Sequence, residues 1–257
     1  MIIDTHAHYD DEQFDIDRDI LLSSQSLIDA GIAAIVNASA SMQGCKATLD
    51  LIARYENVYG MLGIHPEDAG KITESDYDYI KANCSNPKIV AIGEIGLDFY
   101  YEDNPPRDIQ IETFRRFIRL AKEVNLPINV HSREATQETM NIIKEEKAFD
   151  VGGIIHCFSS SAEIAIEYTK MGFYIGIGGV VTFKNGKKLK EVVRACPLEK
   201  LVLETDCPYL APTPHRGERN SSYYLTEVVR EIAALKEVSE EEVLRVTERN
   251  AREVYNI

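Results

Sequence analysis

Apolar runs of β-strand length recur along this chain at residues 2–5, 32–37, 58–64, 88–93, 128–131, 152–156, 173–177 and 200–205. Amphipathic stretches of helical period separate them, near 15–30, 42–55, 74–84, 108–125, 134–147, 161–171 and 186–195, and two more follow near 221–236 and 239–254. Helix-start signals stand where this spacing needs them: Ser41, Thr73 before Glu74, and Ser239 before Glu240, Glu241 and Glu242. Asn125-Leu126-Pro127 reads as a helix stop. Eight strands in strict alternation with helices predict an α/β chain folded as a single (β/α)8 TIM barrel, one domain over residues 1–257. The competing architecture is a doubly wound open sheet. It normally carries a glycine-rich phosphate loop after its first strand, and no GxGxxG follows Ile2-Ile3.

Ligand-type residues stand at the ends of these runs. His6 and His8 close the first, His65 the third, His131 the fifth and His156 the sixth; Glu94 follows the fourth and Asp206 the eighth. A parallel barrel gathers its strand ends at one mouth, so one such residue per strand collects a set of metal ligands there. On a strand, His6 and His8 share a face and can reach one ion, although two satisfied histidines near a terminus is the plain alternative. Glu94 stands in Gly93-Glu94-Ile95-Gly96, where glycine permits close backbone approach or unusual torsions. A carboxylate there bridges two divalent ions or pairs with an arginine; buried Glu is rare outside those roles. Asp206 is placed to hold a metal and take a proton from water, and Glu204, two residues deeper, to support the ligands from behind. Together His6, His8, Glu94, His131, His156 and Asp206 suit two ions about 4 Å apart. His/Glu/Asp ligands leave zinc, manganese, magnesium and nickel open.

His65, before Pro66, either contacts substrate or caps its strand. Arg133 and the segment containing Arg216 and Arg219 are the basic elements near the expected mouth, either phosphate contacts or a solvated face.

The net charge of −14, from 28 basic and 42 acidic side chains, opposes non-specific nucleic-acid binding. It fits a solubilised surface or a carboxylate-lined site that needs cations. The five cysteines are scattered without a CxxC pair, which argues against a disulfide framework or a thiolate zinc site. No run is long enough to span a membrane, and Met1-Ile2-Ile3-Asp4-Thr5-His6 lacks the marks of a signal peptide, so the expected location is cytoplasmic.

Over its full length the chain resembles the TatD family of metal-dependent deoxyribonucleases. The resemblance rests on Asp4-Thr5-His6-Ala7-His8, Gly63-Ile64-His65-Pro66, and residues 92–100, 127–134, 156–159, 203–212 and 216–220. It implies metal ligation by His6, His8, Glu94, His131, His156 and Asp206, the same set, and hydrolysis of DNA, often from an end. Three positions depart from the family pattern: Glu67 after the His-Pro pair, Ser160 after His-Cys-Phe-Ser, and Ser221-Ser222 after Arg219-Asn220. These bear on loops and substrate choice. The expected function is therefore divalent-metal-dependent cleavage of DNA phosphodiesters, with Asp206 as general base and His65 and Arg133 on the substrate. The alternative keeps the metals and changes the bond to a C–N, lactone or ester linkage, such as an aminoacyl-tRNA ester.

Overall fold

The eight expected strands pair in chain order into one parallel sheet. In the computed structural model, which describes all 257 residues, they are β1 (Ile2–Ala7), β2 (Ile32–Ala38), β3 (Val58–Leu62), β4 (Ile89–Asp98), β5 (Ile128–Arg133), β6 (Gly153–Ile155), β7 (Tyr174–Ile177) and β8 (Leu201–Leu203). The helices are α1 (Arg18–Leu21), α2 (Ser24–Asp29), α3 (Met42–Arg54), α4 (Glu74–Asn83), α5 (Arg107–Val124), α6 (Thr136–Glu145), α7 (Ala162–Lys170), α8 (Lys187–Ala195), α9 (Leu225–Lys236) and α10 (Glu240–Tyr255). The result is a single (β/α)8 barrel. No helix is long and apolar enough to cross a membrane.

The predicted caps form. The Ser41 side chain accepts from Gly44 N, Ser239 from Glu242 N, and Thr73 with Asp76 makes a reciprocal capping box. Asn125 ends α5 in the left-handed region at φ 54°. Where one helix was expected over 15–30, the chain makes the two short helices α1 and α2. Ser23 breaks them: its backbone is extended and its hydroxyl accepts from Ser26 N, the local competition that serine offers a helix.

Strand ends also shift. β4 and β5 run five and two residues past the expected ends, to Asp98 and Arg133, so Glu94 lies within its strand and not after it, and His131 lies inside β5 and not at its end. β6 and β8 stop short, at Ile155 and Leu203, leaving His156, Glu204 and Asp206 in the following loops.

Strand alternation divides the core. One set of side chains, including Ile35, Ile92, Ile128, Ile175 and Leu203, packs outward under the helices. The other, including Ile3, Val36, Met61, Ile154, Tyr174 and Val202, fills the barrel interior, where Tyr255 of α10 joins it. The seam between β8 and β1 closes just beyond β8. There Thr205 N and Asp206 N donate to His6 O (3.3 and 3.0 Å), and His8 N donates to Cys207 O (2.8 Å). Asp4, fully buried, clasps this seam by accepting from Thr205 N (3.0 Å), Thr205 Oγ1 (2.7 Å) and Ser222 Oγ (2.6 Å).

Candidate metal centre

His6 is the penultimate residue of β1 and His8 lies one past its end. Their Nε2 atoms are 3.1 Å apart. Their hydrogens are placed elsewhere. His8 Nδ1 donates to Ala38 O at 2.8 Å, and His6 Nδ1 to Asn129 Oδ1 at 2.9 Å. Asn129 is itself oriented: its Nδ2 donates to the Tyr255 hydroxyl (3.0 Å), which donates in turn to Thr5 O (3.0 Å). Only the amide oxygen remains for His6. Both Nε2 atoms therefore face each other, an arrangement held together by a proton shared between them or by a cation in its place.

Glu94 divides its two oxygens between two histidine pairs. Oε2 is 3.4 Å from His6 Nε2 and 3.7 Å from His8 Nε2; Oε1 is 3.1 Å from His131 Nδ1 and 3.3 Å from His156 Nε2. The close approach of β4 to β5 at this level needs Gly96, at φ 145°, where a Cβ would lie 2.0 Å from His131 O. Asp206 sits in the left-handed region at φ 57°, a turn that Asp tolerates better than most residues. Its Oδ1 is 3.4 Å from His8 Nε2 and 3.8 Å from His6 Nε2.

Two more carboxylates stand behind the histidines. Asp98 Oδ2 is 3.3 Å from His131 Nε2, which leaves His131 Nδ1 to face Glu94. Glu204 Oε2 is 3.6 Å from His156 Nδ1, while Oε1 accepts from Cys157 N at 2.6 Å. Gly176 makes room for Glu204, since a Cβ there would meet Oε2 at 2.2 Å. The His6 and His156 rings stack at 3.6 Å between centroids.

Burial opposes every charge in this cluster, and the carboxylates overturn that opposition at three histidines. Asp206 and Glu94 hold His8 at about 9. The Asp98 and Glu94 carboxylates raise His131, and Glu204 and Glu94 raise His156 well above the ordinary value. Glu94 is held well below the usual carboxylate range by His156 and His6, and Asp206 is lowered by His8, despite burial. His6 alone among the four is lowered, by burial and the neighbouring His156. The cluster is a place that demands positive charge. Four imidazoles and two carboxylates fit a pair of divalent ions, with His6, His8 and Glu94 as one group of mutually close donor atoms and Glu94, His131 and His156 as another.

His65 takes the capping role, and its other nitrogen faces the centre. Its Nδ1 accepts from Glu67 N at 3.3 Å, capping the 3₁₀ turn that follows, and its Nε2 points at Glu94 Oε1 from 3.9 Å. Burial lowers it to about 4, so it is a neutral ring with a hydrogen on Nε2 facing the centre. Arg133 is exposed at the mouth, its guanidinium over Tyr100 (4.1 Å) and donating to the Tyr101 hydroxyl (3.0 Å). Arg219 is not brought to the cluster. Both its terminal nitrogens are committed to Asp17, one at 3.0 and one at 2.5 Å, which pins the loop after β8 to the segment before α1. Arg216 is exposed and lies over the Phe183 ring at 3.6 Å. Asp98, Asn129, Tyr255 and Asp4 were missed by sequence reasoning. Asp98 alone left a signal, four residues after Glu94 and so on the same strand face.

A parallel barrel with this donor set at the carboxyl ends of its strands defines a metal-dependent hydrolase of the barrel class. The family model described as TatD related DNase matches residues 3–256. A Bacillus subtilis (strain 168) protein described as the uncharacterized metal-dependent hydrolase YabD is 46% identical over 257 residues, covering 100% of both chains. The similarly described YcfH of Escherichia coli (strain K12) is 35% identical over 260 residues, covering 100% of this chain and 96% of the relative. Among solved structures, the TatD homologue YJJV of Escherichia coli K12 superposes with a TM-score of 0.93 at 28% identity, covering 100% of this chain and 98% of the other. The chain belongs to the TatD family of metal-dependent hydrolases.

Proposed function

We propose that this chain hydrolyses phosphodiester bonds of DNA, from an end, using two divalent metal ions held at the barrel mouth. The observation that carries the proposal is Glu94. Its two oxygens serve separate histidine pairs, one with His6 and His8, the other with His131 and His156. A carboxylate so placed would hold two ions, the arrangement used for in-line phosphoryl displacement. One ion would be held by His6, His8, Glu94 and Asp206, and the second by Glu94, His131 and His156. Divalent ions bound there would supply Lewis acidity, lowering the pKa of water and neutralising phosphoryl charge.

The protein residues supply the rest. Asp206 is the more open of the two ligating carboxylates, its side chain 19% exposed against 5% for Glu94, and it is ionised. Its carboxylate takes the proton of the attacking water. His65, neutral, donates from Nε2 to a phosphoryl or leaving-group oxygen. Arg133 offers a guanidinium, and the exposed Tyr100 and Tyr101 offer ring faces to bases beyond the reacting bond. The five unpaired cysteines suit a reducing compartment such as the cytoplasm.

The test is release of nucleotides from end-labelled single-stranded DNA with added zinc, manganese, magnesium or nickel. Wild type should cleave only with a divalent ion, and Asp206→Ala should not cleave. A second reading is favoured by the net charge of −14, which is unhelpful for holding a polyanion: hydrolysis of an amide, lactone or aminoacyl ester at the same centre. Turnover of those substrates with none of DNA would select it.

A further inference from the structure

Beside Asp206 the mouth opens into a cavity of about 320 Å³, between the loops that follow β6, β7 and β8. Its inner end is formed by Glu204 and Asp206, so it is continuous with the metal centre. The walls between are Phe158, Val180, Leu189 and Leu210, with glycine backbone at Gly178 and Gly179. At the outer end stand Lys187 and Lys188, the first two residues of α8. Both are exposed and neither has a carboxylate partner, whereas Lys190 one turn on is paired with Glu231 at 2.8 Å. Two unpaired cations beside the reacting centre stand out in a chain whose net charge is −14.

The ends and the walls of this cavity ask for different chemistry. The inner end is where the reacting group must lie, the walls are apolar, and the outer end takes an anion. Polar edges are available too, since the side chains of Ser159 and Asn185 also line the cavity and make no hydrogen bond within the protein. A nucleoside fits that order: apolar base faces, polar base edges, and a second phosphate one unit away from the first. A short aliphatic amide or lactone would leave the lysines without a role. The geometry points to this cavity as the pocket for the nucleoside joined to the phosphodiester being cleaved, with Lys187 and Lys188 contacting the next phosphate along the strand. The inference rests on the phosphodiester reading and adds to it the residues that select a nucleotide.

The experiment compares the metal-loaded wild type with Val180→Trp, which fills the cavity from a half-buried wall position outside the ligand set. Substrates are the 3′- and 5′-(4-nitrophenyl phosphate) esters of thymidine and the base-free methyl 4-nitrophenyl phosphate. Val180→Trp should raise KM for the preferred thymidine ester about tenfold, on the scale of a lost base contact, and leave kcat/KM for the methyl ester within about twofold. The surface variant Lys187→Gln/Lys188→Gln should leave all three monomeric esters, which lack a second phosphate, unchanged. It should raise KM for a short oligothymidylate and flatten its salt dependence. Equal losses on the methyl and thymidine esters in Val180→Trp, or no loss on either with the lysine variant also silent, overturn the pocket while the phosphodiesterase stands. A wild type that turns over none of the three esters and also fails to cleave the oligothymidylate removes the phosphodiester reading, and the pocket with it.

Discussion

At the scale of single residues, the centre depends on which nitrogen of each imidazole carries its hydrogen. His6 is set by a chain of three hydrogen bonds that begins at Thr5 O and passes through Tyr255 and Asn129. Asn129→Leu breaks that chain and should weaken zinc binding by about 10–100-fold, measured by competition with a chromogenic chelator. An unchanged affinity would mean that His6 needs no orienting partner. Protons compete with metal at the same atoms. His8 sits at about 9 without metal, above its ordinary 6.5, so it is protonated at neutral pH and must lose that proton to bind an ion. Its proton favours the metal-free protein at every pH below 9 and stops doing so as pH rises through that value. Zinc affinity should therefore rise between pH 6.5 and 9, by up to about tenfold per unit for each proton released. A flat profile would contradict the assignment of His8 as a ligand. The six proposed ligands, which the structure brings together, were legible in the sequence because each stands at or near the end of an apolar run. Asn129 and Tyr255 were not, because their roles arise only when β5 and α10 meet inside the barrel, 126 residues apart in sequence.

At the scale of elements, the weak point of the barrel is its seam. β1 through β8 pair in chain order, while β8 meets β1 through loop residues and through the Asp4 carboxylate. Removing that carboxylate takes the acceptor from the buried Ser222 hydroxyl and leaves Thr205 N and Oγ1 only their longer contacts to His6 O, 3.3 and 3.4 Å. Asp4→Ala should destabilise the protein by about 2–4 kcal/mol in denaturant unfolding. A loss below about 0.5 kcal/mol, the range of an ordinary surface change, would show that the seam closes without it. The strand count, their order and most helix starts were readable from periodicity and caps. Strand ends were not. β4 and β5 continue to Asp98 and Arg133 because they pair with each other to that point, Asp98 against Arg133, and long-range pairing leaves no local mark. The break between α1 and α2 was missed for a different reason, a serine hydroxyl that bonds its own backbone.

At the scale of the whole molecule, an acidic chain concentrates six donor groups at one end of a barrel and holds them facing one another. Metal should therefore stabilise the fold as well as complete the site. A ligand at 100 times its dissociation constant adds about 2.7 kcal/mol, so chelation should lower Tm measurably and zinc should restore it. A Tm indifferent to chelator would mean that the native fold holds no ion. The central claim is that Glu94 joins two ions into one hydrolytic centre. The measurement that tests it most directly is metal content per chain, taken together with the rate of DNA cleavage, in wild type and Glu94→Gln. Wild type should hold two ions and cleave; Glu94→Gln should lose at least one ion and lose cleavage with it. A Glu94→Gln protein that keeps both ions and cleaves DNA at the wild-type rate would contradict the account.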